Sequence, residues 1–249
     1  MRSTRFALFG SILLLGSGLQ AQAPTPSKDL TLLNLPLSSD PLVRNRIPLT
    51  EALSEVGVQV REGYVLFGIE VHLKEDKEPT VSMNLPADST LGEALREILA
   101  QLPNYKYEIA GTRLINIYPE GAKTNPENVL NIRVQRFDVV NEPPATLLST
   151  PQLFIAELNK RLTVPPRAGE PTGSIGPTMR PVGGTRVTLR LRNVTVRGIL
   201  NSVSEETAQA PSEFRPLGWV YSFQPNPASP VGGTHAWTFH WSVPSNWKR

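Results

Sequence analysis

The chain has 249 residues, with 25 Lys and Arg against 22 Asp and Glu, a pI near 9.3 and no cysteine. The lack of cysteine excludes a disulfide framework, thiol chemistry and acylation at a lipobox, so packing alone must hold the fold. The charge is too evenly balanced to be the electrostatic footprint of a nucleic-acid binder, and no nucleic acid is expected as a partner.

The N-terminus reads as a secretory signal peptide over residues 1–23. Arg2 and Arg5 form a basic segment, Phe6 to Leu19 an uncharged apolar run, and Ala21-Gln22-Ala23 a small-residue cleavage site. An apolar run of about 14 residues is shorter than the roughly 20 that a membrane-spanning helix needs. Cleavage is expected after Ala23 or after Ala21. About 226 residues then remain, enough for one large or two small domains. Removing Arg2 and Arg5 brings the two signs of charge almost level. The expected mature product is periplasmic or secreted, soluble and not a lipoprotein.

Residues 24–29 read as a linker, and Leu30 to Leu37 as a first strand. Pro48 opens a helix whose Leu49, Leu53, Val56 and Val60 share one face; Gly57 weakens it. Val65, Phe67, Ile69, Val71 and Leu73 alternate as in a half-buried strand, with Gly68 placed for a bulge. Val81, Met83 and Leu85 form a short strand. Thr90 and Glu93 have capping-box spacing before the stripe Leu91, Ala94, Leu95, Ile98, Leu99 and Leu102. Tyr105, Tyr107 and Ile109 alternate, Ala110-Gly111 turns, and Leu114 to Ile117 returns.

The same order recurs. Ile132 to Val139 is strand-like and Ala145 to Leu162 helix-like. Val187 to Leu191 repeats the pattern of Val81 to Leu85, and Thr195 to Leu200 repeats Thr90 to Leu95. Trp219 to Phe223 and His235 to Trp241 stand where the first hairpin stood. The reading is an internal duplication. The expected fold class is α+β: two similar small domains, each with two helices on a mostly antiparallel or mixed sheet. They span 30–120 and 129–243, joined by a linker at 121–128 and followed by a tail at 244–249. A Pro/Gly-rich loop insertion is expected at 165–184.

The first unit resembles the secretin and TonB short N-terminal domain. The residues that carry the resemblance are Leu49-Thr50-Glu51-Ala52-Leu53, then Val81-Ser82-Met83-Asn84-Leu85, then Thr90 to Leu99, Tyr105-Lys106-Tyr107 and Leu114-Ile115-Asn116-Ile117. The match covers about 47–118, with a weaker one at about 187–241. The resemblance implies a periplasmic module that contacts an envelope protein partner. In the family such domains precede a pore or a barrel. The sequence up to Arg249 carries neither pattern, so a free-standing periplasmic protein is expected.

Candidate chemistry is sparse. His235 and His240 are five apart on a strand and point to opposite faces, and His72 lies in the other unit. Glu51, Glu55, Glu93 and Glu97 fall at helix-surface spacing. No nucleophile elbow or phosphate-binding glycine loop is present. The chain is therefore not expected to be an enzyme or to hold a cofactor or metal. The aromatic residues are the strongest site candidates. Trp219, Tyr221 and Phe223 share one strand face, and Trp237, Phe239 and Trp241 share another. They read either as core or as a platform for a partner or a glycan, made of Trp219, Tyr221, Trp237 and Trp241 with Trp247 near the end. The glycan reading, as a binding protein or an enzyme, is the alternative to the interaction module.

Overall fold

The computed structural model describes residues 32–61, 63–163, 186–209, 216–226, 228–229 and 231–241. The signal peptide, the following linker, the Pro/Gly-rich segment at 165–184, the tail and Trp247 lie outside the described residues. The fold is α+β with mixed and antiparallel sheets.

The first half begins with β1 (Leu42–Pro48), α1 (Leu49–Gln59) and β2 (Leu66–His72). β3 (Thr80–Leu85), α2 (Leu91–Ala100) and the hairpin β4 (Tyr105–Ile109) and β5 (Leu114–Pro119) follow. The second half has β6 (Arg133–Glu142), α3 (Pro144–Ser149), α4 (Ala156–Leu162), β7 (Val187–Thr195) and α5 (Val196–Gln209). It ends with the hairpin β8 (Leu217–Pro225) and β9 (Gly233–Trp241). β1 pairs antiparallel with β3, and β6 with β7. The two halves therefore repeat the same ribbon, helix and hairpin.

The repeat reaches the caps. Thr90 Oγ1 accepts from Glu93 N at 3.2 Å, and Thr195 Oγ1 accepts from Gly198 N at 3.1 Å. In α2 the Glu93 carboxylate also accepts from Thr90 N, which closes the capping box. Gly198 has no side chain to return that bond. The apolar stripes also match: Leu91, Ala94, Leu95 and Ile98 are buried in α2, and Val196, Ile199, Leu200 and Val203 in α5.

Some elements differ from the sequence expectation. Leu32–Leu33 is helical, and Pro36 makes only an isolated bridge to Thr90, so the described part of the expected first strand, 32–37, is not a strand. The expected single helix at 145–162 is two short ones with a 3-10 turn at Pro151–Leu153 between them. Pro151 has no N–H to continue the ladder and its ring clashes with the preceding turn. The segment 121–128 is folded against the sheet. Asn128 is buried, and its side chain bonds Glu70 and Ala122 O.

The largest difference is that the halves share a sheet. β2 pairs in parallel with β5 on one side and with β8 on the other, giving the order β4-β5-β2-β8-β9. β2 is therefore central and buried on both faces rather than half-buried. Phe67, Ile69 and Val71 join Val220 in a core beneath α1 and α2. Trp219 and Tyr221 lie on the other face, in a core with residues of α3 and α5. The result is three layers, helices on both sides of one sheet.

Candidate functional site

Strand register arranges the second face of the sheet as rows that cross β2, β8 and β9. The first row is Gly68, Trp219 and Phe239. The second is Glu70, Tyr221 and Trp237, and the third is His72, Phe223 and His235. Residues two apart on each strand share this face, so the sequence pattern found the columns on β8 and β9. It missed the β2 column, because the pairing of β2 with β8 is a contact between distant segments.

The rows differ in burial. Trp219 is fully buried, and its indole N–H donates to Asn201 Oδ1 at 2.8 Å. Gly68 carries no Cβ because the Trp219 indole and the Asn116 amide fill that space. Gly68 thus permits close packing rather than a bulge. Tyr221 is buried and Trp237 half-buried, with ring centroids 4.5 Å apart. So Trp219 is a core residue that offers no surface for a partner or a glycan, and Tyr221 is buried except where it meets a cleft wall. Trp241 pairs with Leu217 at the strand end.

Glu70 is the singular residue of the second row. It is a fully buried carboxylate on a central strand. Its Oε2 accepts from Arg197 Nη2 at 2.7 Å, and its Oε1 accepts from Asn128 Nδ2 at 2.6 Å and lies 3.3 Å from His72 Nε2. Burial alone pushes its pKa up. The hydrogen bond from His72 and the charge of Arg197 together outweigh that, and the net shift is downward. Arg197 is itself buried, in the first turn of α5. A cation at a helix N-terminus opposes the helix dipole, so Glu70 supplies the charge that this position demands. The Tyr118 ring lies 5.5 Å from the guanidinium carbon. The ion pair therefore locks α5 of the second half onto β2 of the first. Two sequence signals pointed here: a lone charge within the apolar run Leu66–Val71, and an arginine where the first repeat has Gly92.

The third row opens to solvent. It lines a cleft of about 440 Å³ together with Tyr221, Glu127 and Arg161. The His72 and Phe223 rings meet edge-on at 5.8 Å, and Phe223 and His235 at 5.0 Å. Tyr221 Oη lies 2.7 Å from His235 Nδ1, and His235 Nε2 lies 3.2 Å from Val231 O. A carbonyl can only accept, so Nε2 carries the proton and the tyrosine donates to Nδ1. Burial lowers the His235 pKa and pushes the Tyr221 pKa up. On the opposite face, His240 Nε2 donates to Phe67 O at 2.9 Å. The two histidines of β9 thus point apart, as their spacing predicts. Among the described residues no group of His, Asp and Glu could hold a metal ion.

A second surface is set by the β6–β7 ribbon. Its outward face pairs Arg136 with Arg192 and Asp138 with Arg190, all exposed. Arg136 also pairs with Asp138. The corresponding pair in the first ribbon is Val43 with Asn84. There, α2 also reaches over the strand: Gln101 Oε1 accepts from Ser82 N at 2.9 Å and Glu97 Oε1 from Asn84 N at 2.6 Å.

No family model, no curated protein and no solved structure matches the chain.

Proposed function

We propose that the chain is an exported, non-catalytic periplasmic module that docks an envelope protein through the outward face of the β6–β7 ribbon. The partner surface is acidic. The observation that carries this is the divergence between the two ribbons. Both bury the same apolar pattern, so the fold does not require arginines at 190 and 192. Like charges directly opposite each other, as Arg136 and Arg192 are, destabilise a ribbon. An acidic partner would relieve that repulsion, and charge complementarity would steer the encounter. The likeness of the first unit to secretin and TonB short N-terminal domains supports the same reading, because those domains contact partner proteins.

The test is a cross-linking pull-down from envelope extract, comparing the natural chain with the double variant Arg190→Glu, Arg192→Glu. Both side chains are exposed, so the variant should keep its unfolding midpoint. The expected result is one dominant acidic partner that the variant loses and that raised salt weakens. Recovery of the same proteins by both chains would refute the docking face.

A further inference from the structure

We infer that the cleft at the end of the second sheet face binds an uncharged saccharide, with Phe223 and His235 as the stacking floor and Glu127 and Arg161 as the hydroxyl-binding rim. This does not rest on the docking role of the ribbon. The aromatic face is core at Trp219 and Tyr221, half-buried at Phe223, His235, Trp237 and Phe239, and exposed at His72.

Three observations select the ligand class. The first is shape. Register places His72, Phe223 and His235 side by side on three adjacent strands, and the cleft of about 440 Å³ falls within the range of small-ligand pockets, roughly 300–1,000 Å³. One or two pyranose rings fit this space. The second is the chemistry of the floor. Both nitrogens of His235 are engaged, by Tyr221 and by Val231 O. Those two bonds hold the ring in place beside Phe223, with centroids 5.0 Å apart, and together the two rings would make the floor for the C–H face of a sugar. The third is charge. Glu70 is matched by Arg197, and Glu127 at the rim by Arg161. Among the described lining residues, Glu70, Glu127 and Arg161 thus each have an opposite charge beside them. Glu127 and Arg161 are both more than half exposed; the carboxylate can accept from neighbouring hydroxyls and the guanidinium can donate to them.

The probes are the N-acetylglucosamine trimer and cellotriose, titrated into the mature chain by calorimetry and followed by NMR. The expected result is saturable binding of at least one of them with Kd below about 1 mM. Phe223→Ala should weaken it at least about tenfold. Phe223 is partly in the second core, so that variant could lose stability. Arg161→Ala and Glu127→Gln act at the exposed rim and keep the test decisive, each expected to weaken binding about threefold or more at an unchanged unfolding midpoint. Arg190→Glu with Arg192→Glu should leave saccharide affinity unchanged, which separates this site from the ribbon. Lack of saturable binding to both probes at 10-fold that concentration (about 10 mM) overturns the proposal. So does binding that survives the rim variants intact, or capture of an apolar peptide probe in place of the sugars.

Discussion

Gly68 on β2 and Trp219 on β8 are register partners, and the Trp219 indole occupies the space that a Cβ on residue 68 would fill. Each residue belongs to a different repeat. Their contact is the point at which two copies of one pattern become one sheet.

Substitution of Gly68 by Ala therefore forces either the indole or the strand to move. Over-packing of this kind costs about 1–3 kcal/mol. Urea unfolding of the mature chain should show a lower midpoint for Gly68→Ala, with both halves unfolding in one transition. A midpoint equal to that of the natural chain would mean that the indole is free to shift.

The Glu70–Arg197 pair makes two pH predictions. In the natural chain the folded Glu70 pKa is depressed. Its contribution is then present above the unfolded carboxylate pKa and is lost as pH falls through the folded one. With Arg197→Met, both influences of Arg197 that lower the Glu70 pKa are lost while burial, already the largest influence, remains, so the folded pKa rises and acidification should cost the variant less stability than it costs the natural chain. At pH 7 the variant should lose about 3–5 kcal/mol, because a buried charge is left without its partner. The double variant Glu70→Gln, Arg197→Met should recover part of this. Denaturant melts at pH 7 and at steps below the ordinary Glu pKa of about 4.3 read both effects. Equal pH slopes in the natural chain and Arg197→Met would contradict the assignment.

The paired helix caps give a third expectation. Thr195→Ala removes one bond at the start of α5, and Thr90→Ala removes two at the start of α2, from Glu93 N to the hydroxyl and from the hydroxyl to the Glu93 carboxylate, leaving the Thr90 N–H bond in place. Loss of a threonine cap costs about 1 kcal/mol, and Thr90→Ala should be the more damaging of the two. Thermal melts of both variants, with Thr→Ser at each site as the conservative control, check the order.

The local elements were legible because their signals are local. Leu49, Leu53, Val56 and Val60 announced the buried face of α1 and its end, and all four are buried. The Thr90–Glu93 spacing announced the capping box, and the second copy of the pattern announced β7, α5, β8 and β9. The break at Pro151 is not legible from apolar spacing, which continues through it from Leu148 to Ile155 and Leu158.

The aromatic columns on β8 and β9 could be read from period-two alternation, but their burial could not. Alternation says which residues share a face and is silent on what covers that face. Trp219 is core because α5 lies over it, and Phe223 reaches the cleft because it stands four residues further along the same strand.

Sequence alone determined the α+β class, the duplicated order of elements, the caps and the shared faces, since each depends on residues within a few positions of one another. Tertiary structure alone decided that β2 is central and that Glu70 meets Arg197 across 127 residues. It also decided that His72 joins Phe223 and His235 in one row. Those relations depend on which strand edges pair, and the backbone groups that make such pairs are the same at every residue.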